Sequence, residues 1–173
     1  MVLGFLVSAM VVYFTMLLYT IPQVEQHANG MKLFDLSPAG YSQQYALELL
    51  KNLGSIGRDI YLYRQLPLDF IYPGLFAVSC CLLLTWILKK SLSINSSMFY
   101  WCIVPLVAAL FDYLENICIV LMLKSYPKVP ELLVTFGSIF TVFKSALTTI
   151  FFILFFIGCG LFWKKGRKAL TPN

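Results

Sequence analysis

The chain has 173 residues, of which 60% are hydrophobic and 12% charged, and its mean hydropathy is +0.80. A soluble domain carries about 25% charged residues to face water, so a water-facing globule is excluded. The net charge of +5 does not point to nucleic acid, because basic residues gather in the tail as Lys164, Lys165, Arg167 and Lys168 behind an apolar run, the placement that anionic headgroups select.

Crossing about 30 Å of hydrocarbon takes about 20 mostly apolar residues per helix. The sequence supplies this at residues 2–21, 70–88, 99–123 and 132–163. The expected fold is all-α: a polytopic four-transmembrane-helix bundle, one membrane domain over 1–173, with the lipid bilayer as its first partner. The first span carries no charge and ends at Pro22. It lacks a basic n-region and a small-residue cleavage site, so it is expected to be a retained helix and not a signal peptide.

Residues 22–69 form a long first loop. Asn29-Gly30 reads as a turn, and His27, the single histidine, cannot make a conventional metal site alone. From Ser42 onward Tyr45, Leu49, Leu53, Ile56, Ile60 and Tyr63 recur at helical spacing, with Glu48, Lys51 and Asp59 opposite. That pattern predicts an amphipathic helix capped by the Ser42 hydroxyl. Gly54 and Gly57 lie inside it, and each either breaks the helix or allows close approach to a neighbour.

The loops at 89–98 and 124–131 are short. Lys89 and Lys90 stand in the first of these without acids, as do the four bases of the tail at 164–173. Basic density predicts that both termini are cytoplasmic and the long loop extracytoplasmic; Lys124 and Lys128 oppose this. Asn95-Ser96-Ser97 is a formal glycosylation acceptor that this orientation keeps inside. Compact size and bare loops suggest a bacterial plasma (inner) membrane. Cys80, Cys81, Cys102, Cys118 and Cys159 all fall in apolar runs without metal-binding spacing, so they read as packing residues.

The chemistry is expected where charge stands inside the spans. Asp112, Glu115 and Asn116 project from one face of the third span, and an acid at a helix centre costs roughly 2.5–3.5 kcal/mol on insertion scales. Lys144 interrupts the fourth span and should pair with Glu115 or Asp112. Asp69 opens the second span, where a carboxylate favours the helix N-terminus. Arg58 is placed to reach down from the amphipathic helix, and Tyr61, Tyr72 and Tyr113 supply hydroxyls. The expected ligand-binding set is Arg58, Tyr61, Asp69, Tyr72, Asp112, Glu115, Asn116 and Lys144. The opposing reading is an ion-pair lock that fixes helix register.

A cluster of this kind suits a protein that binds a lipid headgroup, a small polar ligand or a membrane partner. An intramembrane hydrolase or transferase on a lipid-linked substrate is the alternative, with Asp112, Glu115 and Asp69 as candidate catalytic carboxylates, since two close carboxylates do not both ionise cheaply. In span number, cytoplasmic termini and outer-leaflet aspartates the arrangement is similar to lipoprotein signal peptidases, an architectural likeness alone, because their asparagine- and aspartate-bearing motifs are not found here. A proton- or ion-coupled carrier would require a homo-oligomer, for which no GxxxG signature stands in a span. Metalloprotease, serine-hydrolase, P-loop and dinucleotide motifs are absent, and no cofactor is implied.

Overall fold

The computed structural model describes residues 2–91 and 96–170. Every described element is helical, and four helices are long and apolar enough to cross a membrane: Leu3–Glu25, Gln43–Ser91, Ser97–Ser125 and Glu131–Lys165. Asn95, the glycosylation acceptor, and the side chains of Arg167 and Lys168 lie outside the described residues.

The first helix does not stop at Pro22. α1 (Val2–Thr15) passes through a π-helical turn (Met16–Thr20) into α2 (Ile21–Glu25), with Pro22 in its first turn. A proline inside an α-helix clashes with the carbonyl four residues back and donates nothing. The widened turn relieves this, since Ile21 N–H bonds Met16 O, five residues back. The second helix repeats the device. A π-helical turn at Tyr61–Gln65 precedes Pro67, and Leu66 N–H bonds Tyr61 O. The two turns meet, and the buried Thr20 hydroxyl donates to Gln65 Oε1.

The amphipathic segment is not a separate element of the loop. α3 (Gln43–Ile60) runs through the second π turn into α4 (Leu66–Ser91), making one long helix in which Pro73 sits. Ser42 caps α3 as its spacing predicts, accepting from Tyr45 N–H at 3.2 Å. The two glycines divide the two roles. Gly54 kinks the helix at φ 61°, ψ −170°, a region open essentially to glycine alone. Gly57 lies against His27, whose Cβ would stand 2.7 Å from an added methyl.

After a 3-10 turn (Ser97–Ile103) come α5 (Val104–Ser125) and the 40-residue α6 (Glu131–Leu170). α5 and α6 are the most extensive pair, α4 packs on both, and α1 packs chiefly on α4 with little contact to α6. The larger core lies at the end that α3 covers, where Leu33, Phe34, Leu49, Leu50 and Leu53 meet Ile119 and Met122. A smaller core, Cys80, Leu84, Leu88, Cys102 and Phe151, fills the opposite half. Large apolar side chains such as Leu18, Leu132 and Phe156 remain exposed, the surface expected of helices facing lipid.

Candidate functional site

Three side chains on α5 share a face because they sit at i, i+3 and i+4, yet they divide their work. Glu115 is fully buried. Its Oε2 is ion-paired to Lys144 Nζ, and its Oε1 accepts from the Thr141 hydroxyl at 2.6 Å. Asp112 Oδ1 takes the same ammonium at 3.2 Å. Lys144 is therefore engaged by two carboxylates, of which Glu115 is sealed from solvent.

Asn116 answers a different need. Its Nδ2 donates to the backbone oxygen of Asp69 at 2.9 Å. That carbonyl would ordinarily accept from the amide four residues on, which is Pro73 and has no N–H. The asparagine satisfies the carbonyl that the proline orphans, which fixes the entry of α4 against α5. Gly74 lets the helices close there, since a methyl on it would meet the Tyr113 hydroxyl at 2.6 Å.

A cleft of about 580 Å³ opens between α1 and α6 beside α4. Its polar end carries Asp35, Asp69, Asp112 and Lys144, with Ser145 and Thr148 beside them on α6. The remaining wall is apolar and aromatic: Met10, Tyr13, Met16, Ile21, Leu36, Tyr72, Phe76 and Phe152. The size falls within the range of about 300–1,000 Å³ usual for small-molecule sites.

Of the expected set, Asp69, Tyr72, Asp112 and Lys144 line this cleft. Glu115 and Asn116 stand behind it, fully buried. Tyr61, also fully buried, donates its hydroxyl to Asp35 and stacks on Phe34 with centroids 6.3 Å apart. Arg58 is turned elsewhere. Its Nη1 bonds Leu50 O at 2.8 Å, one turn before the Gly54 kink, and its guanidinium lies 4.4 Å over the Tyr126 ring.

Asp35 is the residue that sequence reasoning missed. It sits in a 3-10 turn, Phe34–Leu36, in a stretch without periodicity, and an isolated loop acid gives no reason to expect burial. Thr141 was missed too; its one signal is a place three residues before Lys144, on the same face of α6. With Asp35 included, three carboxylates and one lysine line the cleft. Asp69 is 4% exposed, and its Oδ2 has no hydrogen-bond partner, which is unusual for a buried carboxylate oxygen. Glu115 Oε2, by contrast, is satisfied by its ion pair with Lys144.

Comparisons with protein-family models, with curated proteins and with solved structures find no match.

Proposed function

We propose that this is a multipass integral membrane protein of a bacterial plasma membrane, and that it binds an amphiphile with the polar head among Asp35, Asp69 and Asp112 and the apolar part along Phe76, Phe152 and Met10. The observation that carries this reading is the cleft itself: charged at one end, apolar along its walls, and placed between two helices that barely touch. A ligand arriving from the bilayer could enter sideways between α1 and α6 without crossing an aqueous phase. Thr148→Trp, which fills the cleft, should remove copurifying small amphiphiles seen by native mass spectrometry of protein released from nanodiscs. Wild-type retention in that folded variant would refute the reading.

The orientation belongs to the same proposal: both termini cytoplasmic, the end covered by α3 outside. Lys89, Lys90 and the basic tail support it. In a reporter fusion passed through a secretory pathway Asn95 should remain without glycan, and glycan there would reverse the assignment.

A second reading has its own observation. Asp69, with one oxygen free of partners, and Asp112, held by an ammonium, line one cleft, a pairing that suits general acid and base work on a lipid-linked substrate. If Asp112→Asn binds the same lipids as wild type and no turnover of them distinguishes the two proteins, binding is the whole function.

A further inference from the structure

Building on the amphiphile reading above, we infer that the head this cleft takes is a protonated amine bearing at least one N–H, carried on a long apolar chain. Charge gives the first argument. Lys144 is the one cation among the described residues lining the cleft, and Asp112 and Glu115 already engage it. An anionic head would meet three carboxylates and no unengaged cation. Three cleft carboxylates and Glu115 stand against one ammonium, an excess of acid over base that favours a cationic head over an anionic one.

Hydrogen bonding gives the second argument and is independent of the first. Asp35 already receives the Tyr61 hydroxyl and Asp112 the Lys144 ammonium. Asp69, 4% exposed, keeps Oδ2 without a donor. A buried acceptor of this kind calls for an N–H or O–H. A quaternary ammonium supplies charge but no donor, and an alcohol supplies a donor but no charge. A protonated amine supplies both, as a charge-assisted hydrogen bond.

The surroundings agree. Tyr72 stands three residues from Asp69, on the same face of α4, and its ring is 5.7 Å from that of Tyr13 on α1. Aromatic faces beside a carboxylate stabilise an organic cation. A metal ion is the competing cation, but among the described residues no group of three His, Cys, Asp or Glu side chains is placed to hold one.

The test uses the full chain in nanodiscs doped with equal amounts of hexadecylamine, hexadecyltrimethylammonium, hexadecanol and hexadecyl phosphate, read by native mass spectrometry at neutral pH. Wild type should retain the primary amine about tenfold over the quaternary amine and the alcohol, the ratio one charge-assisted hydrogen bond supplies, with the phosphate least retained. Asp69→Asn should bring amine and alcohol to near parity. Phosphate retained as well as amine would overturn the inference while leaving the amphiphile reading intact. Equal retention of primary and quaternary amines, or an amine preference unchanged in Asp69→Asn, would also overturn it. If wild type retains none of the four chains, or Thr148→Trp retains them all, the amphiphile reading itself fails. The wild-type ranking decides the matter even if the Asp69 variant does not fold.

Discussion

Replacing Lys144 by methionine removes one charge and little volume, and its cost can be worked from the contacts. At 3.2 Å from Asp112 and an effective dielectric near 20, the Coulomb attraction is about 5 kcal/mol, much of it already offset by desolvation of both ions. Asp112 borders the cleft and can recover some solvation. Glu115 cannot, because it is fully buried, and the variant strands its carboxylate with the Thr141 hydroxyl as its remaining partner. Breaking a buried pair in this way costs about 3–5 kcal/mol, and Lys144→Met should lose that much. The double variant Lys144→Met, Glu115→Leu removes both ends of that pair. Thr141 keeps its bond to Gly137 O at 3.0 Å, so Asp112, which borders the cleft, is the one acid left without its cation, and a well-packed apolar replacement of a buried pair is often neutral. The double variant should therefore be more stable than Lys144→Met, with a coupling of about 2–3 kcal/mol. The assay is SDS-driven unfolding in mixed micelles, followed by fluorescence of Trp86, Trp101 and Trp163. Lys144→Met within about 1 kcal/mol of wild type, or a double variant no better than the single, would refute the reasoning.

Three further outcomes are expected in the same assay. Asn116→Leu should cost about 1–3 kcal/mol by leaving the Asp69 carbonyl unpaired; adding Pro73→Ala should restore part of the loss, because the new amide can bond that carbonyl, and no rescue would mean that Asn116 acts otherwise. Gly54→Ala should cost about 1–3 kcal/mol through its backbone conformation, and a neutral result would mean that the kink is not required. Tyr41 lies outside the spans, and burial, with the charge of Glu115 adding to it, holds its phenol protonated above the ordinary value. A raised folded-state value means that the native state binds the proton more tightly, so stability is full below about pH 10 and falls as pH rises beyond it. Tyr41→Phe should show a shallower alkaline loss, and an unchanged alkaline limb would show that Tyr41 does not carry it.

What was legible in the sequence follows from where one force dominates. Hydrocarbon admits long apolar runs and little else, so four helices long enough to cross were readable from hydropathy, and the Ser42 cap and Asn29-Gly30 turn from local chemistry; Asn29 and Gly30 both take positive φ. The pairing of Lys144 with Glu115 or Asp112 was also readable, because lipid offers no other place for those charges; the ammonium engages both. Helix ends at Pro22 and near Pro67 were not. A proline reads as a stop when the helix around it is assumed to be α, and a π turn removes the clash without leaving any mark in composition. Arg58 does not reach down as expected: beyond the Gly54 kink its guanidinium finds a backbone carbonyl and the Tyr126 ring at the covered end.

Asp35 is the miss with consequences for function, since it makes the cleft more acidic. From the sequence, Asp69, Asp112 and Glu115 against Arg58 and Lys144 come to a net of −1, and a nearly balanced cluster is equally well a register lock. The folded chain separates these roles. Glu115, buried and held by Thr141, pairs with Lys144, and Asn116 repairs the backbone at Pro73. These four residues carry the structural reading, with Asn116 Oδ1 itself left without a hydrogen-bond partner. What they leave over is Asp69, with an oxygen that nothing in the chain bonds, and Asp35, carried into the cleft by the Tyr61 hydroxyl. A scaffold gains nothing from a buried carboxylate oxygen left unpaired or from a loop acid added to a cleft that already holds two others. That surplus is the physical reason to place function at the cleft and not in the ion pair beside it.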